Sequence, residues 1–150
     1  MDVLMGYDVT QQTTVFSIPQ NRQQEALAAV RALFQPDAID LLARGSTANW
    51  WGFTYHYSWV DTAAALSCAT LPAMLAEWGW GCSLNDAGDI LGIDFESERL
   101  GQEDILFAAL APFVTAGSFI QMLSEDGEQW RWVFDGEAMR EVRAVVTFPE

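Results

Sequence analysis

The chain of 150 residues contains no lysine. Its positive charge rests on seven arginines, Arg22, Arg31, Arg44, Arg99, Arg131, Arg140 and Arg143, and the 21 acids leave a formal net charge of −14. Such a field repels nucleic acid and anionic membrane and attracts basic surfaces. Histidine occurs once, at His56, and cysteine twice, at Cys68 and Cys82. A structural zinc site needs about four nitrogen or sulfur ligands, so this inventory argues against a metal. In a reducing cytosol the two cysteines are expected to be buried thiols. No run of about 18 apolar residues is present to cross a membrane. Residues 1–10 lack the basic start and apolar stretch of a secretory signal. A cytoplasmic location is therefore expected. P-loop, dinucleotide fingerprint and nucleophile elbow are all missing, so no cofactor is expected.

Apolar material, by contrast, is plentiful. Hydrophobic residues make up 51% of the chain, with 7 Trp and 9 Phe, enough for one domain spanning 1–150 to bury a sizeable core. The charge is uneven. Residues 1–60 carry five acids and three arginines, whereas residues 61–150 carry sixteen acids and four arginines. Two tracts concentrate it, residues 86–104 and 125–137. One reading is a solvated face that keeps an aromatic-rich domain soluble. The other is a surface suited to a basic partner.

Periodicity supplies the elements. Residues 6–18 read as extended. Residues 17–34 read as a helix with Ser17 and Gln20 as a capping box and Pro19 in the first turn. Its apolar stripe is Ala26, Leu27, Val30, Leu33 and Phe34. A short second helix is expected in 35–45. In "WWGFTYHYSWV", residues 50–60, strict alternation predicts a strand. Trp51, Phe53, Tyr55, Tyr57 and Trp59 form one aromatic face that covers the helices, and His56 lies opposite with Thr54 and Ser58. Thr70, Pro72 and Gly79 bound another helix. Residues 80–95 read as a hairpin about an Asn-Asp-Ala-Gly turn. Residues 101–114 form a further helix, with Glu103 and Asp104 favoured by the dipole of its first turn. Three strands close the chain as a meander. The fold class expected is α+β: a mainly antiparallel sheet of six to seven strands with about three helices on one face.

Three groups of side chains carry functional expectations. His56 could serve as a general base with Asp61, but strand neighbours such as Ser58 stand roughly 7 Å away, too far for a direct bond. Tyr55, His56, Tyr57 and Trp59 form an alternative ligand-binding pocket; the remaining reading of His56 is structural. The row Asp94, Glu96 and Glu98 spaces carboxylates by roughly 7 Å, comparable to successive phosphates. A protein that grips phosphates with arginine and lysine would accept such a row. Glu125, Asp126 and Glu128 would join it if the turn that holds them lies alongside; otherwise they are ordinary turn residues. Trp130, Trp132 and Phe134 share one strand face and are expected in the core.

"MGY" at 5–7, "HYSW" at 56–59, "GQEDILFAALAPFVTAGSFI" at 101–120 and "SEDGEQWRWVF" at 124–134 together resemble a family of small bacteriophage and bacterial proteins of no established activity. The resemblance runs in order over most of residues 5–148. It implies a phage or mobile-element setting, with Met5 as an alternative start. Small acidic proteins of that setting often disarm host defences, and some anti-CRISPR proteins imitate nucleic-acid charge. The leading expectation is thus a non-enzymatic inhibitor, an anti-CRISPR-like DNA mimic. Its partner-binding residues are Asp94, Glu96, Glu98, Glu125, Asp126 and Glu128, and its partner is a host protein with a basic nucleic-acid-binding surface. A small-ligand binder around His56 comes second. An enzyme using His56 or paired carboxylates comes third.

Overall fold

A computed structural model describes residues 8–50, 52–97 and 100–149. Trp51, Glu98, Arg99 and the stretch 5–7 lie outside the described residues. Among the described residues the eight strands are β1 (Val9–Val15), β2 (Gly45–Asn49), β3 (Gly52–His56), β4 (Trp80–Leu84), β5 (Ile90–Phe95), β6 (Phe119–Ser124), β7 (Gln129–Phe134) and β8 (Met139–Arg143). The five α-helices of the described residues are α1 (Gln23–Ala32), α2 (Pro36–Leu42), α3 (Thr62–Leu66), α4 (Leu71–Glu77) and α5 (Glu103–Leu110). The class is α+β, as expected, and all strand pairings are antiparallel.

The strands are distributed differently from a single sheet. A four-stranded sheet runs β1-β6-β7-β8, and β2–β3 and β4–β5 are separate two-stranded hairpins. The second hairpin nevertheless lies beside β1. An isolated bridge joins Ile18 to Ile90 at one end. At the other, the Gln11 amide takes the place of a peptide group: its Nε2 donates to Ile93 O at 2.7 Å, and its Oε1 accepts from Phe95 N–H at 2.7 Å. The layout is therefore β4-β5-β1-β6-β7-β8, with the seam between β5 and β1 closed by one bridge and one side chain.

The C-terminal meander is as read from alternation. Ile120 and Met122 on β6, and Trp130, Trp132 and Phe134 on β7, all turn inward. Phe107 of α5 packs against them, with ring centroids 5.1 Å from Trp132 and 6.0 Å from Phe134. Trp80 completes this group at 5.2 Å from Phe107. The stripe of α1 buries Ala26, Leu27 and Val30, and these belong to the same core cluster as the sheet residues. At α4, Thr70 Oγ1 accepts from Ala73 N–H at 3.3 Å and Pro72 lies in the first turn. Gly79 follows with φ 91°, a left-handed stop that side chains resist.

Two local expectations fail. Ser17 and Gln20 form no capping box. The Ser17 hydroxyl bonds Thr115 Oγ1, and Gln20 N–H donates to the Asp89 carboxylate at 2.8 Å. A 3-10 turn at Gln20–Arg22 leads into α1 without a side-chain cap, because neighbours distant in sequence claim both groups. The strand expected over 50–60 stops at His56. Ser58 takes the left-handed conformation, φ 47°, and reverses the chain. Alternation ends there, so the aromatic face does not cover the helices. Among the described residues of that face, Phe53, Tyr55 and Trp59 are exposed and Tyr57 is buried.

Leu106 of α5 is fully buried, whereas Leu91 of β5 is exposed. Leu106→Ala is expected to cost about 2–5 kcal/mol in urea unfolding through the cavity it leaves. Leu91→Ala should stay within about 0.5 kcal/mol of wild type.

Candidate functional site

β1 brings the two acidic tracts to one end of the sheet. On its β5 side, Gln11 grips the residues before and after Asp94. On its β6 side, Val9 pairs with Ser124, and Glu125 N–H donates to Asp8 O at 2.9 Å. Asp94 and Glu96 therefore flank the start of β1 on one side, and Glu125 and Asp126 on the other. All four are exposed.

Their environments differ. The carboxylates of Asp94 and Glu96 accept no hydrogen bond and join no ion pair among the described residues. The Glu96 carboxylate folds over Gly81, where it occupies the space a Cβ at residue 81 would need. Glu125 Oε1 accepts from Asp8 N–H at 3.3 Å. Asp126 is a turn acceptor: its carboxylate takes the Ser124 hydroxyl and Glu128 N–H, and the Ser124 bond above all holds its pKa below the usual range. Glu128 is bound to Arg143, which also holds Glu141 at 2.8 Å. Asp94, Glu96 and Glu125 thus present charge outward, while Asp126 and Glu128 are partly engaged within the fold. Glu98 lies outside the described residues.

Cys82 sits beneath this face, half-buried, opposite Ile93. Burial pushes its thiol up to about 12, and the charges of Glu96 and Asp94 push the same way. Cys68 is buried and free, its pKa also raised by burial.

The His56 region is built for structure. Its Nδ1 lies 2.6 Å from the Ser58 carbonyl oxygen and its Nε2 3.2 Å from Thr47 Oγ1. Asp61, the expected partner of a general base, instead caps α3, accepting from Ala63 N–H at 2.9 Å and Ala64 N–H at 3.3 Å. Tyr57 is buried with its hydroxyl donated to Leu33 O, and it packs against Phe34 and Trp78. Tyr55 and Trp59 remain outside, so the four residues do not converge on one pocket. Among the described residues no three His, Cys, Asp or Glu side chains converge as a metal site requires, and no helix is long and apolar enough to cross a membrane.

One group is invisible to sequence reasoning. Glu103, expected as a dipole partner in the first turn of α5, is 2% exposed. Its Oε1 accepts from Gly101 N–H at 2.6 Å and its Oε2 from Trp80 Nε1–H at 3.1 Å. Desolvation raises its pKa to about 7, against the opposing pull of the Trp80 and Gly101 bonds. It borders a cleft of about 370 Å³, walled by Trp130 and Trp132 and rimmed by Arg44, Asp104 and Arg143. Arg44 and Asp104 close one side with an ion pair at 3.0 Å. The sequence cue is the tryptophan at position 80, whose buried N–H takes Glu103 as its acceptor, although the buried N–H groups of Trp78, Trp130 and Trp132 have no such partner among the described residues.

No protein-family model, curated protein or solved structure matches this chain.

Two outcomes are expected. Glu103 binds its proton more tightly in the folded state than in the unfolded one, where its pKa is near 4.5. Its contribution is complete below pH 4.5 and is lost as pH rises through about 7, a swing of up to about 3 kcal/mol. Chemical denaturation between these limits should show stability falling as pH rises, and Glu103→Gln should flatten that slope. Cys82 should resist alkylation at mildly alkaline pH in the folded protein and react readily once unfolded, because the thiolate is the nucleophile. Rapid labelling of native Cys82 would show that its surroundings do not suppress the thiolate.

Proposed function

We propose that this protein is a non-enzymatic binding protein whose acidic face occupies the nucleic-acid-binding surface of a basic protein. The observation that carries this reading is the convergence of Asp94 and Glu96 with Glu125 and Asp126 about the start of β1. Tracts far apart in the chain meet on the two sides of one strand, β1. Asp94 and Glu96 form no ion pair among the described residues, so their charge is available to arginine and lysine outside the chain. A surface that neutralises phosphates gains from the same contacts. In the phage setting that the sequence resemblance implies, the partner is a nucleic-acid-binding component of a host defence complex, met in the bacterial cytosol. Asp94, Glu96 and Glu125 supply the outward charge, and the reading stands without a contribution from Glu98.

The ligand-binding alternative around His56 fits less well, because both ring nitrogens are engaged and Tyr57 is sealed in the core.

The test is capture of partners from bacterial lysate at low and high salt, followed by competition with nucleic acid for the captured protein. Retention should fall steeply with salt, and nucleic acid should displace the acidic protein. The double variant Asp94→Asn/Glu96→Gln should weaken binding by about tenfold or more. Salt-insensitive retention, or unchanged binding by the double variant, would sink the proposal.

A further inference from the structure

The hairpin β2–β3 differs from the rest of the surface. Residues 45–60 hold no Asp, Glu, Lys or Arg in a chain of net charge −14. The hairpin forms a sheet of only two strands, and such a hairpin is marginal by itself. Across it, Phe53 pairs with Ala48 and Tyr55 with Ser46, so both rings stand on one face above small residues. Phe53 is 66% exposed, Tyr55 41% and the neighbouring Trp50 91%. Beside β3 runs an open groove walled by Phe34, Pro36 and Ile39, with Asp40 the charged side chain among its described lining residues. Natural sheets guard open edges with lysine, proline or inward charge; β2, Gly-Ser-Thr-Ala-Asn, carries none of these.

We infer that this hairpin is the contact between two copies of the chain, paired about a twofold axis with Phe53 and Tyr55 of each copy against those of the other. Charge selects this occupant. Two copies of −14 repel wherever their acids meet, and the hairpin offers an uncharged stretch through which they can approach. A basic partner gains nothing there, because the hairpin supplies no carboxylate. Size agrees. At roughly 150–250 Å² per aromatic side chain, Trp50, Phe53 and Tyr55 leave on the order of 400 Å² uncovered. That is about half of the ~800 Å² each partner contributes to a standard interface, before β2 and the groove are counted. A twofold contact needs one self-complementary patch, which a neutral aromatic face beside an aromatic-lined groove provides.

Sedimentation of the full chain over a concentration series, at low and high salt, tests the inference. Wild type should reach the mass of two chains, and salt should strengthen the association by screening repulsion, opposite to its effect on the acidic face. Phe53→Glu and Tyr55→Glu should raise the dissociation constant by about tenfold or more. Leu91→Glu, on the exposed surface of the other hairpin, should leave it unchanged. Near-ultraviolet circular dichroism establishes that each variant folds; Phe53→Ser replaces any that does not. A single-chain mass under all conditions overturns the inference and leaves the face to a different protein. So does a two-chain mass that survives the hairpin variants or weakens with salt.

Discussion

The structure turns on the seam between β5 and β1. A four-stranded sheet and a hairpin would otherwise be separate units, each with an open edge. Gln11 closes that seam with a side-chain amide, which sets an N–H donor beside a carbonyl acceptor as a peptide group does, its second N–H going to Thr14 Oγ1. Backbone pairing resumes at Ile18 and Ile90. The core residues of both sheets are thereby held in one cluster, with Ile90, Ile93 and Trp80 alongside Ile120, Met122 and Trp132. The same seam fixes which acids are neighbours, because β1 is the strand that separates Asp94 from Glu125.

Several of the few arginines are drawn into specific contacts. Arg143 holds Glu128 and Glu141, Arg44 holds Asp104, and Arg131 lies 4.2 Å above the Phe119 ring. Arg22 stands 5.2 Å from the ring of Phe113. Positive charge is thus committed to partners at the sheet and the helix ends, and among the described residues none of it pairs with Asp94 or Glu96. The charge asymmetry of the sequence becomes an asymmetry of surface.

Where a feature depends on nearby residues, the sequence made it legible. Thr70 with Pro72 and Gly79 bounds α4, and alternation in β6 and β7 sorts Trp130, Trp132 and Phe134 into the core. Features that depend on distant partners were hidden. Nothing local marks Gln11 as a strand substitute. Ser58 shows no glycine or asparagine signature for its left-handed turn, so the alternation of 50–60 overran its true end. The capping box at Ser17 and Gln20 was locally sound and lost to Thr115 and Asp89. Glu103 followed the dipole rule, yet its environment is decided by Trp80 on another element.

Burial of Glu103 also makes folding a proton-uptake reaction. Near pH 6 the unfolded chain carries this carboxyl ionised, and the folded chain carries it mostly protonated. The native molecule is then about one charge less negative than its composition implies, and the proton is stored in the core wall next to Trp80 rather than on the surface. A protein this acidic therefore holds one carboxyl whose charge reports on whether the chain is folded.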